Sequence, residues 1–322
     1  MGFLYSQLFV RLPYPTGSYT DKTIIITGGN AGLGKEAARH YVRLGAGKMI
    51  LAVRNPDKGR AAKEDIEATT GCAKTVVEVW QLDMSSYASV RDFAARVADT
   101  LDRVDVFHAN AGVVHVEYKR MEDNEGQITV NVVSTFLLAA LVLPKLKETA
   151  VEFRTRPTLT ITTSETHAWT PFDERHAPDG GIFDALDEQG RKDASTLYWP
   201  SKLLEVFGVR SVAERSPASE CPVTVNMVNP GFCRSELARD VDSWAMWLMT
   251  VFLARTPEYG SRNLVHAGSA GAETHGKYVS DCGIDEPSAF VRSREGKETQ
   301  DRVWDELVKK LEAIEPGVTR NF

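Results

Sequence analysis

Between residues 22 and 280 the chain alternates short apolar runs with longer stretches whose apolar positions recur every three or four residues. The runs are KTIIIT (22–27), KMILAV (48–53), TVVEVWQL (75–82), VDVFHAN (104–110), TLTITTS (158–164), VTVNMVN (223–229) and KYVS (277–280). Most are too uniformly apolar for a sheet with one wet face, which predicts strands buried on both sides. Between them Val90, Phe93, Ala94, Val97 and Leu101 fall on one helical face. The alternation predicts an α/β fold with a doubly wound, seven-stranded parallel sheet flanked by helices, binding ligands at the carboxyl ends of its strands.

Three segments depart from the repeat. Residues 165–196 are polar and rich in Gly, Pro and Asp, predicting a surface excursion. After Pro230, the residues Trp244, Trp247, Leu248, Val251 and Phe252 line one face of a short helix, and Trp304, Leu307, Val308 and Leu311 repeat the pattern in the tail. No low-complexity linker divides the chain. The expected organisation is an N-terminal extension (1–19), one main domain (20–282) with a lid near 232–256, and a C-terminal extension (283–322) carrying a helix.

Composition narrows the partners. A formal charge of −6 and the lack of any Lys/Arg-rich run give no footprint for nucleic acid. Cys72, Cys221, Cys233 and Cys282 show no C-x-x-C spacing, and no H-E-x-x-H cluster accompanies the histidines, so neither a disulfide framework nor a metal site is expected. The opening MGFLYSQLFVRLPYP lacks a basic leader and is too short to span a bilayer. A cytoplasmic protein without a transmembrane span is expected, its N-terminal segment either packed on the body or resting on a membrane surface.

The stretch ITGGNAGLGKEAARHY (26–41) satisfies several phosphate-loop patterns. A triphosphatase loop needs a Ser or Thr after its Lys to ligate magnesium, and here Glu36 follows Lys35. A dinucleotide suits the loop better. It follows a strand and opens a helix near Gly32, so free N–H groups and the helix dipole face a pyrophosphate lying over Gly28, Asn30, Gly32, Leu33 and Gly34. The next strand ends in Val53 and Arg54, with no carboxylate for a ribose 2′-hydroxyl. A guanidinium there favours a 2′-phosphate, hence NADP(H) over NAD.

Tyr198 and Lys202 in YWPSK stand four apart and share a helix face. A free tyrosine has a pKa of about 10, and a neighbouring ammonium lowers it. Their companions occur in order: Asn110, Ala111 and Gly112 end the fourth run, Asn131 lies in an apolar helix, Ser164 ends the fifth run, and Pro230 and Gly231 follow the sixth.

In T-G-x-x-x-G-x-G from Thr27, N-A-G at 110–112, Asn131, Ser164 and Y-x-x-x-K, in that order, the chain resembles the classical short-chain dehydrogenase/reductase family over residues 20–282. VRNPDKG, GKYVSDC and the long excursion between Ser164 and Tyr198 resemble its retinol dehydrogenase and WW-domain oxidoreductase branch, and the opening FLYSQLFVRLPYPTGSYTDK is similar to fungal members, many from secondary metabolism. The resemblance implies a Rossmann-type fold and an NADPH-dependent reductase of a bulky, mainly apolar ketone or aldehyde, or the reverse alcohol oxidation. It further implies that Asp83 bonds the adenine, that Asn110 and its neighbours flank the adenine ribose, and that Ser235 lies near the nicotinamide amide or the phosphates. Lys202 would bond the nicotinamide ribose and lower the Tyr198 pKa, Ser164 and Tyr198 would hold the substrate oxygen, and Asn131 would hold a water linking Lys202 to solvent. Pairing as a homodimer or homotetramer through the helices bearing Asn131 and Tyr198 is also implied. Trp199, Phe232, Trp244 and Trp247 are candidates for an apolar substrate wall. The rival readings are a non-redox isomerase or cyclase on the same fold, and a cofactor-sensing binding protein without a reaction.

Overall fold

The computed structural model describes residues 3–234 and 253–322. Seven parallel strands form its centre: β1 (Thr23–Thr27), β2 (Lys48–Val53), β3 (Val77–Gln81), β4 (Val106–Ala109), β7 (Thr158–Thr162), β8 (Thr224–Asn229) and β9 (Tyr278–Ser280). These are the seven runs read from the sequence. An eighth strand, β10 (Gly283–Asp285), turns back antiparallel on β9 and closes that edge. A two-stranded ribbon of β5 (Arg120–Met121) and β6 (Asn124–Glu125) stands apart. The spatial order is β10-β9-β8-β7-β4-β1-β2-β3, so winding reverses between β1 and β4. Ligands of such sheets bind at that reversal, where the loops leaving neighbouring strands diverge.

Both sheet faces are dry. Ile24 and Ile26 of β1 join one apolar cluster with Tyr41, Leu264 and Val265, while Ile25 joins the other with Phe107, Phe136 and Phe207. The first layer is built by α2 (Gly32–Arg43), α3 (Pro56–Thr70) and α8 (Pro257–Ser269), the second by α4 (Tyr87–Thr100), α5 (Thr135–Glu152) and α7 (Tyr198–Arg215). Local sequence starts and stops these helices. Asn55 accepts from the N–H groups of Asp57 and Lys58 ahead of Pro56, and Gly71 closes α3 in the left-handed region; a cap of this kind contributes about 1 kcal/mol. The apolar span Ile128–Glu152 is long enough to cross a bilayer, yet it is packed inside the protein as a core helix.

The excursion is more ordered than its polarity suggests. Phe172, Ile182, Phe183 and Leu186 are buried, the last three on α6 (Ile182–Lys192). Glu306 of α10 (Arg294–Ile314) accepts from the N–H groups of Ile182 (2.9 Å) and Phe183 (3.1 Å), so the tail caps the excursion's helix. Trp304, Leu307 and Leu311 enter the same core as α7. At the other end, α1 (Phe3–Phe9) packs on the body: Gln7 donates to the carbonyls of Phe232 and Leu253, and Arg255 donates to Ser6 O. Its other face leaves Leu4, Tyr5, Leu8 and Phe9 exposed.

Helix α7 has no spare room against α5. A Cβ on Gly208 would lie 2.1 Å from Cζ of the buried Phe136 ring. Gly208→Val is therefore expected to lose about 1–3 kcal/mol of stability, read as a lowered thermal unfolding midpoint; an unchanged midpoint would show the two helices free to part.

Candidate active site

The glycine loop and the turn after β4 are built as one piece. The Thr27 hydroxyl accepts the N–H groups of Asn110 (2.9 Å) and Ala111 (2.8 Å), and the Asn110 amide donates back to Thr27 O (3.0 Å). Gly28 takes φ +70° and Gly32 φ +53°, which favour glycine. A Cβ on Gly34 would stand 2.6 Å from Gly28 O, so close helix–loop contact demands the third glycine. Ala31 supplies no side-chain cap to α2 and its first turn carries no acid, leaving a helix N-terminus suited to an anion. Lys35 and Glu36 are turned to other partners, Asp65 (2.8 Å) and Arg39 (3.0 Å), which accounts for the G-K pair without a triphosphate.

A cleft of about 780 Å³ follows from this loop. It is lined by Gly28, Asn30, Gly32, Leu33 and Gly34, then Arg54 and Asp83, and by Asn110, Ala111 and Gly112. Lys58, in the first turn of α3, lines it too. Sequence reasoning passed over this second cation, although it follows Arg54 by four residues across the capped turn. Asp83 is held by its neighbours, its Oδ1 accepting from the Ser85 hydroxyl (2.7 Å) and its own N–H donating to Ser89. This combination of bare helix N-terminus, close-packed glycines and two cations fits a dinucleotide with a phosphate on its adenosine ribose.

Gly112, in the cleft's lining, borders the second group of residues, Asn131, Ser164, Tyr198 and Lys202, none of which lines the cleft itself. A Cβ on Gly112 would be 3.3 Å from Asn131 Oδ1 and 3.8 Å from Lys202 Nζ. Ser164 follows the end of β7 and caps the short turn Glu165–Ala168; Tyr198 and Lys202 occupy the first turns of α7. The Lys202 ammonium lies 5.6 Å over the Tyr198 ring centroid and donates to Thr162 O (3.0 Å) and Glu205 Oε1 (2.7 Å). Thr163 returns a bond from its hydroxyl to Lys202 O (3.1 Å). Thus the strand end bearing Ser164 and the helix bearing Tyr198 are tied together.

Four effects, two in each direction, act on Tyr198. Burial raises its pKa, Lys202 lowers it, Glu205 raises it and the Ser164 hydroxyl lowers it, with the balance above the ordinary value. The expected depression by Lys202 is therefore present but overcome, because burial outweighs the ammonium and Glu205 adds to it. Burial opposes the charge on Lys202, yet Glu205 and Tyr198 raise its pKa above normal. Glu205, missed in the sequence, is pushed up to about 7 by burial despite Lys202.

Asn131 is fully buried in a π-helical segment, Ile128–Ser134, running into α5. Its side chain accepts from Val113 N (2.9 Å) and donates to Val113 O (3.1 Å) and Ser201 Oγ (3.0 Å). The carboxamide thus clamps the loop after Gly112 to the Tyr198 helix. His167 is likewise fixed: Nε2 accepts from Ser288 N (3.0 Å), so Nδ1 carries the proton and donates to Ser164 O (2.7 Å). Burial lowers its pKa. Pro230 and Gly231 follow β8, with Gly231 N donating to Asn229 Oδ1 (3.1 Å); neither lines the cleft. Ser235, Trp244 and Trp247 lie outside the described residues.

Beside the reactive groups stands an aromatic rim. Trp199, next to Tyr198, meets Trp169 edge-on at 5.7 Å; Phe3 of α1 meets Trp169 at 6.0 Å and Phe232 at 6.4 Å. Trp199 and Phe232 were read as wall residues from the sequence, whereas Phe3 and Trp169 come from segments that gave no such signal.

Residues 22–151 match the short chain dehydrogenase family model. The short chain dehydrogenase/reductase dmxR8 of Cryptosporiopsis sp. is 64% identical over 324 residues, covering 100% of each chain. The short chain dehydrogenase atnD of Emericella nidulans is 46% identical, covering 86% of this chain and 89% of that one. The chain belongs to the short-chain dehydrogenase/reductase family. Among solved structures, the Pseudomonas aeruginosa RhlG/NADP active-site complex (TM-score 0.61, 20% identity) covers 82% of this chain and 95% of its own. A short chain dehydrogenase from Escherichia coli complexed with NADPH (TM-score 0.60, 23% identity) covers 83% and 99%. These likenesses show the shared fold.

Removing the Asn131 clamp by Asn131→Ala leaves the Val113 N–H and C=O and the Ser201 hydroxyl without their partner. A loss of about 1–3 kcal/mol is expected in chemical denaturation; a change below about 0.5 kcal/mol would show that water replaces the carboxamide at no cost.

Proposed function

We propose that this chain is an NADPH-dependent reductase that converts a bulky, mainly apolar ketone or aldehyde to the alcohol, an intermediate of fungal secondary metabolism. The observation that carries it is the meeting of Ser164, Tyr198 and Lys202 at the strand ends, where the dinucleotide cleft arrives through Gly112. Gly28 to Gly34 would hold the pyrophosphate, Arg54 and Lys58 the ribose phosphate, Asp83 the adenine edge, and Asn110 and Ala111 the adenine ribose. NADPH, when bound, supplies the hydride for the carbonyl carbon. Ser164 donates a hydrogen bond to the carbonyl oxygen, and Tyr198 gives that oxygen its proton. The tyrosinate left behind is stabilised by the Lys202 ammonium until a proton from solvent replaces the one lost.

The substrate class rests on the rim of Phe3, Trp169, Trp199 and Phe232 beside the reactive groups, a surface that rewards large apolar faces. The four free cysteines suit a reducing compartment, and we place the enzyme in the cytoplasm.

Two experiments test this reading. Tyr198→Phe removes the transferable proton and is expected to reduce NADPH-dependent carbonyl reduction by about 10²–10⁴-fold while NADPH still binds. A variant retaining its rate, or a wild type that reduces no apolar carbonyl compound, would point to the non-redox or cofactor-sensing alternatives. Arg54→Ala is expected to raise KM for NADPH by about tenfold or more, with KM for NADH unchanged; equal effects on both cofactors would remove Arg54 from phosphate recognition.

A further inference from the structure

Glu205 is a carboxylate placed where charge is expensive. It lies in the run Leu203–Val209 of α7, whose other side chains are apolar or glycine and buried, and it is itself 2% exposed. Oε1 accepts from Lys202 Nζ at 2.7 Å, while Oε2 is buried without a hydrogen-bond partner. The Thr163 hydroxyl, close enough to lower the Glu205 pKa, makes its hydrogen bond of good geometry to Lys202 O. A buried pair with one oxygen unsatisfied returns less than its desolvation costs, so stability is a poor account of this contact. Its effect on the reactive group is more direct. Glu205 and Thr162 O engage two of the three ammonium donors of Lys202, and above about pH 7, where Glu205 is ionised, the Lys202–Glu205 pair next to Tyr198 carries no net charge.

We infer that Glu205 is a positioning residue that holds the Lys202 ammonium and cancels its charge, keeping the Tyr198 phenol protonated and ready to give its proton in the reductive direction. This rests on the reading of Ser164, Tyr198 and Lys202 as the reactive group. The rise in the Tyr198 pKa from burial, reinforced by Glu205 against Lys202 and Ser164, agrees with it. No other charge faces the phenol among the described residues. From the neighbouring turn, His167 spends its nitrogens on Ser164 O and Ser288 N, and Glu165 lies among Asp281, Asp285 and Arg255. The π-helical segment brings the uncharged Asn131, and α10 sends Gln300 and Lys297 to Arg210 and Glu214 farther along α7.

The test follows tyrosinate absorbance in the full-length chain during a pH titration, with the Tyr198→Phe spectrum subtracted so that only Tyr198 is read. In the wild type Tyr198 is expected to remain protonated up to about pH 10, the ordinary tyrosine value, or beyond. Glu205→Gln keeps the shape and a hydrogen-bond acceptor but removes the charge. Tyr198 should then ionise about one pH unit lower or more, a tenfold gain in tyrosinate at a given pH. The alkaline limb of kcat for carbonyl reduction should move down with it, and Glu205→Asp should recover part of the wild-type profile. Unchanged ionisation in a folded Gln variant overturns the proposal. So does a wild-type Tyr198 that ionises below about pH 9, whether or not the Gln variant folds. Because the titration needs no turnover, a wild type that reduces no carbonyl while the shift occurs sinks the reductase reading alone.

Discussion

A buried ammonium must be surrounded by carbonyls or anions, and the site depends on how this chain meets that demand at Lys202. Its partners come from two elements: Thr162 at the end of β7 and Glu205 one turn farther along α7. The bond returned by Thr163 to Lys202 O locks the same two elements from the other side. Ser164 lies two residues beyond that strand end and Tyr198 precedes Lys202 by one turn. The contact that satisfies the lysine therefore also brings serine and tyrosine face to face. Asn131 extends the arrangement through Ser201, whose hydroxyl donates to Tyr198 O (2.7 Å), so the start of α7 is fixed to the loop that ends the cleft.

The mouth of the site is assembled from parts distant in sequence. Gln7 of α1 bonds the backbone around Phe232, and Ser6 bonds Asp281 (2.5 Å), which also pairs with Arg255 (2.8 Å). An N-terminal helix of only two turns has little stability of its own. These polar ties and the contact of Phe3 with Trp169 hold it against the body. The N-terminal segment thus contributes to the aromatic rim through Phe3 of α1.

The sheet was legible because strands buried on both faces leave uninterrupted apolar runs, and each run reappears as a parallel strand. β10 was not, since Gly283, Ile284 and Asp285 make a three-residue, largely solvent-facing edge with no such pattern. The excursion misled through composition. Its many polar residues hide four apolar anchors, and Glu306, the group that stabilises its helix, lies more than a hundred residues away. The glycines and the Tyr198–Lys202 pair stood out through local spacing, and the structure brings Ser164 beside Tyr198. Asn131 was found for its type, while its contacts with Val113 and Ser201 depend on tertiary packing. Glu205 did leave a signal, a lone charge among Leu203, Leu204, Val206 and Phe207, which helical periodicity places against the core.

The charge pattern along the cleft gives the two ends different work. At the end proposed for the adenosine, Arg54 and Lys58 add positive charge beside the glycine loop and the bare N-terminus of α2, so that end can bind an anion and hold it at a distance from Tyr198. At the reactive end a lysine and a glutamate nearly cancel, and the protein presents hydroxyls instead of a net field. Binding energy collected from phosphates at one end can then orient a ligand whose reacting atom sits near Tyr198, without those cations pulling the phenol toward its anion. On the proposed reading the glycine loop admits the ligand, the two cations select it, and the Lys202–Glu205 pair beneath Tyr198 sets the protonation state in which it is met.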